Sequence, residues 1–410
     1  MAAALRRLDV FIHVQHLLGS GHLRRAAALA RALAARGHRV LLASGGRPLA
    51  DLDHRGFALL QLPPIHARDG DFGDLVDARG RPFDAALRAR RRRLLLDHFA
   101  ARRADVLITE TFPFGRRALR GELLALLDAA AQRSPRPLRL SSIRDILQPA
   151  PHREAEVLDL LHAHYDALLV HGDPALAPLS LSFPAARLRL PLDYAGYLDS
   201  APPAAESLIS AAPIQRAGGE ILVSAGGGAV GLALLRAALD ARAAHPADAA
   251  LAGRRWRLRA GPNLPAADFH ALQGAAQQQA AQQQAAQQQA AQGGVIVERN
   301  RDDFAARLAH CAASVSQAGY NTVVDLLRSA APAVLVPYAR RGEREQSLRA
   351  ARLAELGRAQ RLAEDGLSGA ALAAALQSVL AAPPQMPAVH IDRGQRAAEL
   401  IEQRCAEREP

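Results

Sequence analysis

The sequence predicts two α/β domains in tandem, each built on a doubly wound parallel β-sheet with helices on both faces. Short apolar runs alternate with longer helix-forming segments along the chain, which is typical of buried parallel strands joined by crossover helices. This alternation stops at a proline- and alanine-rich stretch near residue 200 and then begins again. The length of 410 residues agrees with two or three domains of ordinary size.

The first domain is predicted to comprise residues 1–198. Its strand-like segments are LDVFIHV, RVLLASG, DVLITET, RLSSIRD and ALLVHGDP, and helix-forming segments such as LRRAAALARALAARG lie between them. A linker is predicted at 199–218, because DSAPPAAESLISAAPIQRAGG has no regular apolar period.

The second domain is predicted to comprise residues 219–392, followed by a C-terminal helix at 393–410. Its strand-like segments are EILVSAGGG, RWRLRAG, GVIVERN, SVSQAG and PAVLVPY. Residues 275–292 read AAQQQAAQQQAAQQQAAQ, a low-complexity repeat. Alanine and glutamine favour helix, but this repeat forms no apolar stripe, so we expect an exposed helical or disordered insertion without a chemical role.

The basic residues exclude several classes of enzyme. The formal net charge is +11, and all 51 basic residues are arginine. Without lysine the chain has no Walker-type P-loop, no Schiff-base lysine and no kinase-type phosphate-binding lysine. The uniform use of arginine suggests biased codon usage, and no RNA-binding or zinc-finger motif accompanies the charge, so we expect no nucleic-acid partner. The basic segment at 88–94 has two interpretations: it contacts anionic lipid, or it forms a solvated helix face. Peripheral membrane contact is one of these two alternatives.

Cysteine content and hydropathy indicate a reduced, cytoplasmic protein. The two cysteines, Cys311 and Cys405, are far apart and have no metal-ligand spacing. No apolar run reaches the length of about 18 residues expected for a membrane-spanning helix. We expect neither a metal site nor a bound cofactor.

A glycine-rich turn follows the first strand of the second domain. The stretch ILVSAGGGAVG contains a GxGxxG pattern, which is typical of a phosphate-binding turn at a helix N-terminus. The acidic residue that a dinucleotide site needs after the next strand is absent. Two interpretations remain open: a phosphate site formed by Ser224, Gly227 and Gly228, or a tight turn between strand and helix.

The most specific pattern lies in SVSQAGYNTVVDLL and the following PAVLVPYARRGEREQ. Asn321 and Thr322 begin a predicted helix, whose positive end favours an anion such as a phosphate. Asp325 lies one helical turn later, where a carboxylate can accept hydrogen bonds from a ribose diol. Glu345 and Gln346 follow the next strand. Together these groups describe a nucleotide-sugar site.

These residues resemble the motif HxGxN[ST]xxE with a later [DE]Q that is found in UDP-dependent glycosyltransferases of the GT-B fold. They are also similar to the C-terminal domain of family 28 glycosyltransferases. The resemblance implies two Rossmann-like domains that face a cleft, and it implies donor contacts from Gln317, Gly319, Asn321, Thr322, Asp325, Glu345 and Gln346. Two positions depart from the pattern: Gln317 stands in place of the usual histidine, and Asp325 in place of glutamate.

GSGHLRR, near the N-terminus, resembles the N-terminal glycine loop of the same enzymes. The resemblance implies that Gly21 faces the donor, and a histidine that titrates near neutrality suits His22 for deprotonating an acceptor hydroxyl. Glu110 and Asp145 each end a predicted strand at the same edge, so either of them is an alternative base. A helix-capping or loop role is the competing interpretation for all three.

We therefore expect a glycosyltransferase that moves a hexosyl group from a nucleotide sugar, with UDP as the expected nucleotide, to an unknown acceptor. The resemblance implies inversion at the anomeric carbon, and the absence of a DxD-like pair in the second domain favours a metal-independent reaction. Two alternatives remain: hydrolysis or epimerisation of a nucleotide sugar on the same scaffold, and a protein that binds a nucleotide sugar without catalysis.

Overall fold

The computed structural model describes residues 6–68, 71–200, 219–226, 231–244, 251, 253–286, 294–301 and 303–408. The chain divides into two compact units, Met1–Ser200 with Val389–Pro410, and Ala201–Ala388. Of the predicted linker, residues 201–218 lie outside the described residues, as do residues 287–292 of the alanine- and glutamine-rich repeat.

The first unit contains a seven-stranded parallel sheet with the strand order β3-β2-β1-β6-β7-β8-β9 and a separate antiparallel pair of β4 with β5. The strands are β1 (Asp9–Val14), β2 (Arg39–Ser44), β3 (Ala58–Gln61), β4 (Ile65–Arg68), β5 (Asp71–Asp77), β6 (Val106–Glu110), β7 (Leu138–Arg144), β8 (Ala167–His171) and β9 (Leu192–Tyr194). Parallel strands present their carboxyl ends at one edge, so the residues that follow β1, β6, β7 and β8 meet there.

Four helices cover this sheet. They are α1 (Gly21–Ala35), α2 (Ala85–Ala100), α3 (Arg120–Ala131) and α4 (Glu154–His164). Helix α1 consists almost entirely of alanine, leucine and arginine, which are strong helix formers, and its small buried residues Ala27 and Ala30 let it pack closely on the sheet. Two separate apolar layers, one on each face of the sheet, form the core of the unit.

The second unit contains a six-stranded parallel sheet with the order β13-β12-β11-β14-β15-β16. After a two-residue strand of the first unit, β10 (Tyr197–Leu198), the strands are β11 (Ile221–Ser224), β12 (Trp256–Ala260), β13 (Val295–Arg299), β14 (Ala313–Ser316), β15 (Ala333–Leu335) and β16 (Gln360–Arg361). The helices are α5 (Leu232–Ala244), α6 (Ala266–Ala286), α7 (Phe304–His310), α8 (Tyr320–Arg328), α9 (Glu345–Glu355) and α10 (Gly369–Ala381). One apolar core that includes Trp256 underlies this sheet.

Helix α6 extends into the alanine- and glutamine-rich repeat. Within the described part of the repeat, Ala276 is buried in the core and Gln279 donates a hydrogen bond of 3.2 Å to the carbonyl of Leu239 in α5. The described part of the repeat is therefore helical, with Ala276 packed in the core of its own unit while Gln277 and Gln278 are exposed.

The C-terminal segment belongs to the first unit. Strand β17 (Ile391–Asp392) pairs in parallel with β10, and helix α11 (Gln395–Ala406) packs beside α1. The carboxylate of Glu402 accepts hydrogen bonds of 2.7 and 2.6 Å from Arg36 and contacts His38 at 2.8 Å. Sequence periodicity shows that such a helix exists but not which domain its apolar face covers.

None of the helices in the described part of the chain combines the length and apolarity that a membrane span requires. The cytoplasmic location stays a prediction.

A fully buried guanidinium joins several loops of the first unit. Arg91 donates hydrogen bonds of 3.0 and 2.9 Å to Glu122 and of 3.0 Å to the side chain of Gln15, and it also donates to the carbonyls of Gly45 and Pro63. Burial raises the pKa of the Glu122 carboxyl, but the hydrogen bond with His13 and then the charge and hydrogen bonds of Arg91 lower it to about 2.

Replacing Arg91 with methionine should destabilise the protein by about 3–5 kcal/mol, because it leaves the Glu122 carboxylate buried without its cation. Arg92→Met is the matched control, since Arg92 follows on the same helix and is exposed, and it should change stability by less than about 0.5 kcal/mol. Urea unfolding followed by circular dichroism measures both. Equal unfolding midpoints for the two variants would contradict a structural role for this pair.

Candidate functional site

Glu110 and His22 meet at the carboxyl edge of the first unit's sheet. Glu110 is the last residue of β6, and His22 is the second residue of α1, directly after the glycine turn that follows β1. His22 Nδ1 lies 2.9 Å from Glu110 Oε2. The two residues that the sequence offered as alternative bases therefore form one pair.

The Glu110 carboxylate is buried and has three polar neighbours. Besides His22, it accepts a hydrogen bond from Arg25 Nη2 and another from the hydroxyl of Thr111. A carboxylate is acceptor-only, so its contact with His22 requires the proton on Nδ1. Nε2 then carries the lone pair, on a side chain that is 19% exposed. This arrangement presents a neutral imidazole as a potential base.

The environment keeps His22 neutral near pH 7. Burial lowers its pKa well below the ordinary value of 6.5, and the positive charges of Arg116, Arg25 and Arg144 lower it further. A neutral imidazole is the form that accepts a proton, so this pair is suited to removing a proton from a hydroxyl group.

Arginines of the glycine loop also have definite partners. Arg24 pairs with Asp51, whereas Arg25 is buried against Glu110 and lies 3.2 Å from His22 Nδ1. The sequence did not distinguish the two arginines, because both follow the same glycine loop. The packing of α1 decides that Arg25, and not Arg24, is buried.

Asp145, the other alternative base, has a different partner. It is fully buried, and its Oδ2 accepts a hydrogen bond of 3.1 Å from the hydroxyl of Tyr197. On the next strand, His171 is buried with its Nε2 3.0 Å from the Ser142 hydroxyl, and burial lowers the pKa of His171 to about 3. The geometry therefore favours Glu110 over Asp145 as the carboxylate that acts with His22.

The residues predicted to bind the donor lie around the start of α8 in the second unit. Gly319 is the N-cap residue with extended backbone, and α8 begins at Tyr320, as the sequence predicts to within one residue. Asn321 is exposed and Thr322 half-buried in the first turn, and the half-buried Asp325 lies one turn later. The open positive end of a helix with these side chains is suited to binding a phosphate.

Glu345 and Gln346 hold the loop before α8. The amide oxygen of Gln346 accepts hydrogen bonds of 3.1 Å from the backbone N–H of Ala318 and 3.2 Å from that of Tyr338. Glu345 is buried and pairs at 2.9 Å with Arg349, which also donates 2.8 Å to the Ala318 carbonyl. Thus both the N–H and the carbonyl of Ala318 are hydrogen-bonded, and Arg349 is a positioning residue for this loop. In the sequence, the only sign of this role is the spacing of four residues between Glu345 and Arg349.

The glycine turn after β11 is described only in part. Ser224 is buried, and its hydroxyl accepts a long hydrogen bond of 3.4 Å from the N–H of Gly226, whose φ of 69° is left-handed. Gln317 lies beside this turn, with its Oε1 3.5 Å from the position that a Cβ on Gly226 would occupy. Gly227 and Gly228 lie outside the described residues. In the part of the chain that is described, no group of His, Cys, Asp and Glu is arranged to hold a metal.

Part of the chain matches a known domain family. Residues 244–404 match the glycosyltransferase family 28 C-terminal domain. These residues, which make up less than half of the chain, are similar to a family 28 glycosyltransferase domain. The earlier resemblance to this family is thereby confirmed for this part of the chain, and the matched residues include α8, α9 and most of the C-terminal helix α11.

One curated relative is the UDP-N-acetylglucosamine–N-acetylmuramyl-(pentapeptide) pyrophosphoryl-undecaprenol N-acetylglucosamine transferase of Bartonella tribocorum (strain CIP 105476 / IBS 506). It is 39% identical over 82 residues, which are 20% of this chain and 22% of that protein. The matched segment thus spans only about a fifth of the relative's length.

Solved structures extend the likeness to both units. The glycotransferase of kitacinnamycin covers 98% of this chain and 100% of its own at a TM-score of 0.60 and 18% identity. Acinetobacter baumannii MurG covers 97% and 99% at a TM-score of 0.57 and 15% identity. At this level of identity the likeness shows the fold. The predicted GT-B class with two Rossmann-like domains is confirmed.

The lowered pKa of His22 predicts a measurable titration. By nuclear magnetic resonance, the imidazole should titrate below pH 6.5, and Arg116→Gln should raise its pKa because Arg116 is the largest charge that lowers it. The unfolded chain protonates near the ordinary value, so stability should fall as the pH drops from 6.5 toward the folded-state pKa. Arg117→Gln, an exposed neighbour, is the control. A His22 pKa above 6.5 would contradict this description.

Proposed function

We propose that this protein transfers a hexosyl group from a uridine diphosphate sugar to a hydroxyl group of an acceptor, with inversion at the anomeric carbon. The observation that carries the proposal is the contact between His22 and Glu110, which leaves a neutral imidazole with its lone pair on Nε2. The family 28 match over residues 244–404 supports a nucleotide-sugar donor.

In the proposed reaction, His22 Nε2 takes the proton of the acceptor hydroxyl as its oxygen attacks the anomeric carbon. The bond between this carbon and the β-phosphate oxygen breaks, and the nucleoside diphosphate leaves with the bonding electrons. Glu110 holds the imidazole in the required tautomer and stabilises the imidazolium that forms, while Arg25 keeps the carboxylate in place.

In the second unit, the first turn of α8 is proposed to bind the diphosphate through Asn321 and Thr322, and Asp325 to accept hydrogen bonds from the ribose. Charge on the leaving diphosphate is then stabilised by the helix N-terminus in place of a metal ion. Uridine is proposed because the curated relative's name specifies a UDP sugar and because a structural neighbour, UGT2 of Phytolacca americana, is complexed with UDP-2fluoro-glucose.

Gln346 is proposed to contact the donor sugar through its amide nitrogen, since its oxygen already accepts two backbone hydrogen bonds. Glu345 is proposed to act mainly by holding Arg349 and the loop before α8, because its carboxylate is buried in that ion pair. Ser224 and Gln317 flank the glycine turn, and they are proposed to complete the phosphate site together with the amides of Gly227 and Gly228. Gly21 of the first unit is also proposed as a donor contact, on the basis of the resemblance alone.

The donor proposal predicts stabilisation by one nucleotide family. Uridine diphosphate at about 100 times its dissociation constant should stabilise the protein by about 2.7 kcal/mol in a thermal-shift assay, whereas guanosine and thymidine diphosphates should do so less. Asp325→Ala should abolish most of this effect, because it removes the ribose acceptor. Asp365→Ala, an exposed carboxylate in the same unit, is the control. Stabilisation by none of these nucleotides would refute the donor assignment.

The base proposal predicts a kinetic defect without a binding defect. His22→Ala should lower kcat by about 10²–10⁴-fold, with uridine diphosphate binding unchanged, because only proton transfer is removed. Glu110→Gln should also lower kcat, and the acid limb of the wild-type kcat/KM profile should lie below pH 6.5. His54→Ala, at an exposed position of the same unit, is the control.

Product analysis separates the alternatives in the same assays. A glycoside formed only when an acceptor is present supports transfer, whereas free sugar released without acceptor would identify a hydrolase. An isomerised donor would identify an epimerase, and tight nucleotide binding without any product would identify a binding protein.

A further inference from the structure

A basic pocket lies at the edge of the first unit's sheet opposite to the edge that carries His22 and Glu110. It is formed where β1, β2 and β6 begin and where α2 and α3 end, and its volume is about 760 Å³. Strand β1 has six residues, so its two ends are about 20 Å apart. The basic pocket is therefore separate from the pair of His22 and Glu110.

Arginine dominates the lining of the basic pocket. Six arginines and two aspartates line it, which leaves an excess of four positive charges at neutral pH. The arginines are Arg6, Arg7, Arg39, Arg102, Arg103 and Arg133. A concave site with such an excess of one charge concentrates anions from solution.

The two aspartates of the basic pocket are already neutralised. Asp9 is buried, and its Oδ1 accepts a hydrogen bond of 2.8 Å from Arg102, while its Oδ2 accepts another from Arg39. Asp105 accepts a hydrogen bond of 2.7 Å from the backbone N–H of Asp9 and a further one from Arg6. These carboxylates therefore orient three of the guanidinium groups and do not cancel the charge of the others.

The other three arginines have no carboxylate within ion-pair distance among the described residues. Arg7 and Arg103 are exposed. Arg133 is half-buried, with its guanidinium carbon 3.9 Å from the centroid of the Phe99 ring, and it donates a hydrogen bond of 2.6 Å to the Arg102 carbonyl. Because these contacts already fix the Arg133 side chain, its use in binding costs little side-chain entropy.

The size of the basic pocket and the distribution of its charge favour one kind of anion. The volume lies within the range of about 300–1,000 Å³ for small-molecule sites and far exceeds that of a single phosphate group. Guanidinium groups bind phosphate oxygens in pairs through their planar fork of donors. Since the arginines come from separate segments around the pocket, a ligand with several phosphate groups contacts more than one of them.

We propose that the basic pocket binds a small soluble molecule that carries two or more adjacent phosphate groups. Arg7, Arg103 and Arg133 supply the free positive charge, and the arginines held by Asp9 and Asp105 complete the wall. Binding relieves the mutual repulsion of these guanidinium groups. The site is independent of the proposed glycosyl transfer, because none of its residues belongs to the proposed base or donor sites.

The test is isothermal titration of the full chain with inorganic triphosphate at an ionic strength of about 0.15 M, where exposed charges more than about 8 Å apart are largely screened. Wild type should bind triphosphate in the basic pocket. The double variant Arg7→Gln with Arg103→Gln should weaken this binding by about 10–100-fold, because it removes hydrogen bonds between charged groups. Both positions are exposed, so this variant should fold as wild type does.

The double variant Arg90→Gln with Arg93→Gln is the matched control. These two arginines are exposed on α2 and do not line the basic pocket, and their replacement changes the net charge by the same amount. Triphosphate bound at the start of α8 is a separate event, which Asn321→Ala should weaken while it leaves the basic pocket unchanged. Failure of the proposed donor site therefore does not affect this measurement.

Four results would overturn the proposal. Wild type binds no triphosphate, the Arg7 and Arg103 variant binds it as wild type does, both double variants weaken it equally, or orthophosphate binds as tightly as triphosphate. Equal weakening would identify the general positive charge of the chain as the cause, and equal binding of orthophosphate would contradict a site for adjacent phosphate groups.

Vesicles of phosphatidylglycerol test a membrane surface as the other source of clustered phosphates. The concave shape of the basic pocket favours a soluble ligand, so we expect no sedimentation with these vesicles that depends on Arg7 and Arg103. Sedimentation that the Arg7 and Arg103 variant abolishes, in a wild type that binds no triphosphate, would replace the soluble ligand with lipid headgroups.

Discussion

The buried carboxylate of Glu110 is the group on which the arrangement at the carboxyl edge of the first unit's sheet depends. It is buried at the end of β6, where the hydroxyl of Thr111, the guanidinium of Arg25 and the imidazole of His22 all contact it. A buried carboxylate is stable only with such partners. The same contacts that allow Glu110 to be buried therefore orient the imidazole.

Arginine replaces lysine throughout the chain, and the structure uses the planar group of arginine to join loops. Arg91 connects four acceptor groups in the first unit, and Arg358 donates to the carbonyls of Leu326, Ser329 and Ala331 at the end of α8. Together with Arg349, which holds the loop before α8, this fixes α8 at both ends. A lysine has a single ammonium group and does not span several carbonyls in this way.

Much of the fold was predictable because it depends on local patterns. Short apolar runs and helix-forming segments predicted the order of strands and helices in both units, and Gly319 with the following polar residues predicted the start of α8 closely. The position of the C-terminal helix and the packing of the repeat at Ala276 were not predictable, because a helical period shows that an apolar face exists but not which surface covers it.

By itself, the sequence determined the α/β class, the two-domain organisation and the candidate side chains at the strand ends, since these follow from periodicity and spacing. Its resemblance to the family 28 motif was likewise visible in the residues alone. Only the tertiary structure decided how those side chains are used. It paired His22 with Glu110 and Asp145 with Tyr197, and it buried Glu345 against Arg349. The physical reason is that hydrogen-bond partners and the burial of charge depend on residues that are distant in sequence, such as the 88 positions between His22 and Glu110, and become neighbours only when the parallel strands assemble.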